Sequence, residues 1–173
     1  PGPLTRGPIG HRQMRWFMEK SLGIAQGRKL PRFTRRSFMR TAVRRQLTRP
    51  TRRQGKKVFY FIDLYANWYD VQLAEAVVAV LEHNGVSVYL HPEQRPSGMQ
   101  MITLGALDKA REIAAHNVAI LAEAVRQGYH IVASEPSAAL CLVHEYHHLM
   151  DDVDLRLVSE NTSEACTYLW QLH

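Results

Sequence analysis

The chain has 173 residues, a formal net charge of +6 and a mean hydropathy of −0.27, which predicts a soluble protein. No apolar run is long enough to predict a transmembrane helix. Two cysteines, Cys141 and Cys166, are too few for a disulfide framework and are typical of a reducing compartment.

Charge divides the chain near residue 57. Residues 1–57 hold 17 of the 22 Lys and Arg residues and a single acid, Glu19, which gives them a net charge of +16. Residues 58–173 hold five basic and 15 acidic residues, for a net charge of −10. A short segment with so much charge cannot bury a core of its own. We therefore predict a basic helical arm or connector at residues 1–57 and one α/β domain at residues 58–173.

The arm contains two sets of apolar residues at helical spacing. The first is Met14, Phe17, Met18 and Leu22, and the second is Phe38, Met39, Val43 and Leu47. They predict two amphipathic helices, separated by residues 27–31, that lie on an acidic protein surface, either of the same domain or of a neighbour. Nucleic-acid binding through the arginines is an alternative, as is binding to a membrane surface or another anion. No known reader motif accompanies the charge, so nucleic-acid binding is not the preferred interpretation.

Residues 34–40 match the twin-arginine export signature almost letter for letter. Such a signal needs an apolar stretch after its arginines, and here Arg44 and Arg45 interrupt it at once. We interpret the match as accidental and expect a cytoplasmic protein.

Beyond the arm, short apolar segments alternate with helical patterns. Strands are predicted at residues 58–62, 86–90 and 131–133, and helices at residues 70–85, 103–128, 138–150 and from residue 161 onward. The strands show little alternation of polarity, which indicates burial on both faces. This order predicts a three-layer, Rossmann-like parallel sheet of about three strands joined by right-handed crossover helices.

Short polar turns follow the three predicted strands, at residues 63–67, 95–98 and 135–138. In a parallel sheet these turns meet at the carboxyl edge, where such folds bind their ligands. The candidate binding residues at this edge are Asp63, Asn67, Trp68, Tyr69, Gly98, Glu135 and Ser137. The first turn contains no glycine, so binding of a dinucleotide through a Gly-rich loop is not expected.

Several of these segments resemble the first repeat of the cysteine-rich domain called CCG. The similar segments are residues 60–70, 80–86, 96–99, 117–118, 134–140, 144–146 and 169–170, and residues 27–31 are similar to the connector that precedes this repeat. The domain occurs in the B subunit of heterodisulfide reductase, in the C subunit of anaerobic glycerol-3-phosphate dehydrogenase and in the iron-sulfur subunit of glycolate oxidase. It is also found fused to flavin-linked oxidases. The resemblance implies an electron-transfer setting.

The family's cysteine ligands are absent from the matching positions, which here are Leu64, Pro96, Ser97 and Ala138. Because clusters need several thiolate ligands, the resemblance implies no cofactor in this chain and an iron-sulfur cluster or FAD on partner domains or chains. We predict a degenerate, non-catalytic repeat that acts as a scaffold or docking domain. Its expected partner is a flavin or iron-sulfur oxidoreductase subunit, with a homo-oligomer as an alternative.

Histidine leaves a second class of function open. His144, His147 and His148 have the spacing of one face of a predicted helix, with Glu145 and Asp151 nearby, which favours a divalent metal site. The set lacks a fixed fourth ligand, so ordinary surface histidines are the preferred interpretation.

Overall fold

The computed structural model describes residues 12–28, 33–51 and 54–172. The chain divides into two compact units, Pro1–Arg32 and Phe33–His173. The first unit contains helix α1 (Arg12–Leu22), which confirms the first helix predicted in the arm. No residue of α1 is buried. Of the connector predicted at residues 27–31, residues 29–31 lie outside the described residues.

The second unit is an α/β domain with a single parallel sheet. Its helices are α2 (Phe38–Arg44), α3 (Val71–His83), α4 (Met99–Thr103), α5 (Leu107–Arg126), α6 (Pro136–Val143), α7 (Val153–Glu160) and α8 (Ala165–Leu172). A π-helix covers Tyr65–Tyr69 and a 3-10 helix covers Glu145–His148. The strands are β1 (Lys57–Phe61), β2 (Ser87–Tyr89), β3 (His130–Ala133) and β4 (Thr162–Glu164), in the order β2-β1-β3-β4.

Both faces of the sheet carry an apolar core. Phe59 and Ile131 contribute to the core that includes α5, α6 and α7, and Tyr60 and Val132 contribute to the core that includes α2, α3 and α8. Successive residues of a strand point to opposite faces, so a strand buried on both sides is apolar throughout. The prediction of a three-layer α/β fold is confirmed.

The prediction of about three strands was incomplete, because Thr162–Glu164 forms a fourth. The sequence pattern predicts the start of a helix at residue 161, whereas Thr162 pairs in parallel with Ile131. Helix α8 begins only at Ala165, where the Glu164 carboxylate accepts hydrogen bonds from the backbone amides of Cys166 (2.8 Å) and Thr167 (3.1 Å). This edge strand is short and polar, so it carries no apolar pattern.

Two predicted helices are shorter than expected. The helix predicted at residues 103–128 begins only at Leu107, and α4 precedes it as a separate short helix that ends before Gly105, whose φ is 74°. The helix predicted at residues 138–150 ends at Val143, and the 3-10 turn follows it. In contrast, the start predicted for the helix at residues 70–85 is confirmed, since Asp70 is the N-cap of α3 and its side chain accepts from the Leu73 amide at 3.1 Å.

Helix α2 packs with the α/β domain. Phe38 and Ala42 are fully buried in the core beside Tyr60, and the Leu90 amide donates to the Leu47 carbonyl at 2.9 Å. Residues 33–51, which the charge pattern assigns to the arm, therefore belong to the compact unit of the sheet.

None of the helices in the described ranges is both long and apolar enough to cross a membrane.

Candidate functional site at the carboxyl edge of the sheet

The strand order reverses between β1 and β3. The chain leaves β1 to reach β2 on one side and leaves β3 to reach β4 on the other. The loops after these two central strands therefore diverge, and open α/β sheets bind ligands in the crevice that this creates. Asp63 follows β1 and Glu135 follows β3, so both predicted edge residues lie at this point.

Asp63 is a buried carboxylate that joins two of the loops. It is 4% exposed. One oxygen accepts from the backbone amides of Leu64 (2.7 Å) and Ser97 (3.2 Å). The other accepts from the Ser97 hydroxyl. A buried carboxylate with three donors is well satisfied, so these bonds fix the loop after β2 against the loop after β1.

Asn117, on α5, holds the same loop from the other side. Its side-chain oxygen accepts from the Arg95 amide at 2.9 Å, and its nitrogen lies 3.1 Å from the Arg95 carbonyl and 3.2 Å from the Tyr146 hydroxyl. That hydroxyl donates to the Ser97 carbonyl at 2.8 Å. Asn117 and Tyr146 are both fully buried. We name Asp63, Ser97, Asn117 and Tyr146 the edge network. Its hydrogen bonds hold the loop after β2 in place.

Glu135 links the loops across the reversal point. Its carboxylate accepts from the amides of Ala66 (3.0 Å) and Tyr65 (3.3 Å), at the start of the π-helix. Burial raises the pKa of the Glu135 carboxyl, and the charge of Asp63 raises it further, against the lowering effect of the two backbone donors. Glu135, which was predicted to bind a ligand, therefore forms hydrogen bonds within its own chain.

This raised pKa makes a testable contribution to stability. A carboxyl whose folded pKa lies above its unfolded value is penalised in the folded state once it ionises, so its contribution falls as pH rises from about 4 through the folded pKa. Glu135→Gln cannot ionise. Its free energy of unfolding relative to wild type should therefore rise between pH 4 and pH 7, as measured by urea denaturation at each pH.

Glu112 provides a matched comparison of opposite sign. Lys109 and Arg95 lower the pKa of its exposed carboxyl, so its contribution is present above the unfolded value and is lost at lower pH. Glu112→Gln should therefore lose stability relative to wild type as pH rises over the same window. Parallel pH profiles for the two variants would contradict the assignment for Glu135.

The positions where the resemblance implies ligands, Leu64, Pro96, Ser97 and Ala138, carry side chains that do not fit an iron-sulfur cluster. Leu64 is half-buried, Pro96 is exposed and Ala138 is fully buried, and none of these side chains has a donor atom. Ser97 has a hydroxyl, but it is committed to Asp63. The chemistry of these side chains offers iron no set of soft ligands.

Cys141 lies close to this region but is not arranged as a ligand. The thiol is buried and contacts the Ser97 carbonyl at 3.4 Å. Burial, assisted by the charges of Asp63 and Glu145, raises the pKa of the Cys141 thiol to about 12. Because metals bind the thiolate, this cysteine acts as a small buried side chain at neutral pH.

Two of the other three predicted edge residues, Asn67 and Gly98, have local structural roles. Asn67 accepts from the Met39 amide at 3.0 Å and so attaches α2 to the π-helix. Gly98 precedes α4 with a φ of 77°, and a Cβ there would meet Ile113 at 3.2 Å. Ser137 is exposed in the first turn of α6.

Aromatic side chains form the exposed part of this edge. Tyr65 is 52% exposed and Trp68 is 39% exposed. Tyr69 stacks on Tyr65, with ring centroids 6.0 Å apart, and lies 4.5 Å from the ring of Phe33. We name these four side chains the aromatic rim. The Thr34 amide donates to the Trp68 carbonyl at 2.8 Å, which anchors the segment that carries Phe33.

The predicted histidine face does not form. The α-helix ends before His144, and the other two histidines lie in the 3-10 helix. His147 contacts the Ser159 hydroxyl at 3.2 Å. In the described part of the chain, no three His, Cys, Asp or Glu side chains are grouped so that they could hold a metal ion. The expectation of three histidines on one helical face was therefore wrong.

Fold and edge together define a Rossmann-like α/β domain whose carboxyl edge is closed by its own polar side chains. The chain is 25% identical over 170 residues to the C subunit of the anaerobic glycerol-3-phosphate dehydrogenase of Escherichia coli strain K12, and equally to that of Escherichia coli O157:H7. The alignments cover 98% of this chain and 42% of each relative, so the chain spans less than half the length of the relatives it matches. No family model and no solved structure matches it. The similarity supports a relationship to an oxidoreductase subunit.

Proposed function

We propose that this chain is a cluster-free docking domain of an iron-sulfur or flavin-linked oxidoreductase assembly, as a degenerate repeat of the CCG type. Two observations support the proposal. One is the similarity to a dehydrogenase subunit over almost the whole chain. The other is the chemistry of the carboxyl edge, where the positions equivalent to the family's ligands carry Leu64, Pro96, Ser97 and Ala138.

The hydrogen bond from Ser97 to Asp63 carries the cluster-free part of the proposal. In the family resemblance, Ser97 stands at a ligand position, yet here its hydroxyl is turned into the buried side of the loop. The Ser97 carbonyl also accepts from Tyr146, so both polar ends of the residue are occupied. A loop held in this way keeps its shape without a cluster.

The aromatic rim is the proposed docking surface. Exposed aromatic groups that lie together on a soluble domain commonly mark an interface, and aromatic anchors dominate binding energy in many complexes. The partner would be an oxidoreductase chain that carries the flavin or the iron-sulfur cofactor. Residues 63–70 would then place the reversal point of the sheet next to that partner.

Anaerobic reconstitution with iron and sulfide tests the cluster-free assignment. The isolated chain should remain colourless, because protein-bound clusters need several thiolates and the buried Cys141 thiol remains protonated at neutral pH. The measurement is the visible charge-transfer absorption together with iron and sulfide content per chain. Stoichiometric iron and sulfide in the wild-type protein would contradict the proposal.

A variant with the ligands restored serves as the comparison. It combines Leu64→Cys, Pro96→Cys, Ser97→Cys and Ala138→Cys, and its reconstitution is carried out beside that of wild type. Iron uptake by this variant alone would show that the edge has the geometry for a cluster and that the missing thiols are the reason for its absence.

A further inference from the structure

Basic residues before and after residue 58 differ in how often they form ion pairs with carboxylates. All five Lys and Arg side chains after residue 58 form ion pairs, namely Arg95 and Lys109 with Glu112, Arg111 with Asp108, Arg126 with Asp154, and Arg156 with Asp151. Arg45, at the end of α2, pairs with Glu82 at 2.7 Å. Six basic side chains of this domain are therefore paired with a carboxylate.

Arg36, Arg40 and Arg44 differ from these paired side chains. Arg40 and Arg44 lie four residues apart on one side of α2, and Arg36 lies in the bend just before the helix. Together with Thr41, the three arginines line a cavity of about 220 Å³. Across the described residues, no carboxylate lies within ion-pair distance of any of the three. Three uncompensated guanidinium groups therefore share one small cavity.

This arrangement opposes the stability of the helix that carries it. Like charges four residues apart destabilise a helix, and Arg40 lies in the first turn of α2, where the helix dipole disfavours a positive charge. The helix is nevertheless fixed in place, because Phe38 and Ala42 are fully buried. The buried residues thus fix the backbone that carries these exposed arginines, and a bound anion would relieve the repulsion between their side chains.

We propose that Arg36, Arg40, Arg44 and Thr41 form a binding site for a phosphate group. Guanidinium groups bind phosphate oxygens through paired hydrogen bonds, and a hydroxyl such as that of Thr41 adds a further donor. A tetrahedral dianion presents oxygens to three arginines at once, whereas a planar carboxylate with one charge satisfies a single guanidinium. The cavity is smaller than the roughly 300–1,000 Å³ of pockets that enclose whole ligands, so it accommodates the phosphate group and leaves the rest of a ligand outside.

Calorimetric titration of the full chain with inorganic phosphate tests this site. Wild type should bind phosphate at one site per chain at low ionic strength, and acetate at the same concentration should not compete. Arg40→Gln and Arg44→Gln should each weaken binding by roughly tenfold, the size expected for one charge-assisted hydrogen-bonding group.

Arg45→Gln is the matched control, since it removes the same charge from the neighbouring residue but leaves the cavity intact. Its phosphate affinity should stay within about twofold of wild type, allowing for general electrostatics. Equal losses for Arg40→Gln and Arg45→Gln would show a diffuse basic surface and overturn the site, as would the absence of phosphate binding by wild type.

Competition separates the sources of the phosphate group. A single-stranded oligonucleotide that displaces inorganic phosphate, and whose own binding falls with Arg40→Gln, would support the site and assign it to a nucleic-acid backbone. Displacement by pyrophosphate but not by the oligonucleotide would support it as a small-molecule site. Binding to anionic lipid vesicles without any binding of inorganic phosphate would overturn it.

Discussion

Replacing Asp63 with alanine is expected to lower the free energy of unfolding by about 3 kcal/mol or more, since each buried polar group left without a partner costs on the order of 1–3 kcal/mol. Asp63 accepts from two backbone amides and one hydroxyl in a buried setting. Its removal leaves the amides of Leu64 and Ser97 unsatisfied and releases the loop after β2. Urea denaturation followed by circular dichroism measures the change.

Two comparisons separate the edge network from a general effect of charge. Asp63→Asn keeps an acceptor for both amides, and the Ser97 hydroxyl can rotate to accept from the new amide group, so its cost should be about 1 kcal/mol. Asp108→Ala removes an exposed carboxylate paired with Arg111 and should cost no more than about 0.5 kcal/mol. A loss for Asp63→Ala as small as that for Asp108→Ala would show that the network does not hold the loops.

The central part of the fold is predictable from the sequence because its signals are local. Strands β1 and β3 are continuous apolar segments buried on both faces, and Asp70 and Gly85 mark the two ends of α3. A parallel sheet then follows from the helices between the strands. The carboxyl-edge rule also places Asp63 and Glu135 near each other, and both lie where the strand order reverses.

Strand β4 and the packing of α2 depend on partners far away in the sequence. Thr162–Glu164 has no apolar residue, and only its pairing with residues 131–133 makes it a strand. The apolar residues of α2 do have helical spacing, but spacing alone cannot show which surface covers them. The high charge of the arm obscured the fact that Phe38 belongs to the core of the domain.

The sequence predicts only part of the edge network, since its members lie on loops and helices that are far apart in the chain. The signal for Asn117 was nevertheless present, because it interrupts the buried stripe of α5 between Ala114 and Val118. A polar residue in an apolar stripe indicates a buried hydrogen-bond partner. Tyr146 had no such signal, since a tyrosine in a core segment fits packing alone.

Truncation of the aromatic rim is expected to weaken association of the chain by roughly 30-fold or more, because central aromatic anchors typically contribute about 2 kcal/mol or more to an interface. The informative change is the pair Tyr65→Ala and Trp68→Ala, whose side chains are exposed. Tyr69 is a poorer choice, since it lies between Phe33 and Tyr65 and supports the local structure. Analytical ultracentrifugation of the isolated chain, and co-purification with an oxidoreductase partner from cells, measure the two forms of association.

Trp170→Ala is the matched control for this prediction. Trp170 lies on α8, away from the π-helix in sequence, and is 85% exposed, so its removal deletes an equally large aromatic surface outside the rim. If the rim is the interface, the rim variant should dissociate while the Trp170 variant behaves as wild type, and both should keep their helix and sheet content. Equal weakening by both variants would indicate nonspecific hydrophobic association. A wild-type chain that sediments as a monomer at tens of micromolar, roughly where weak specific interfaces still assemble, and that co-purifies with no partner would show that the rim is not a docking surface.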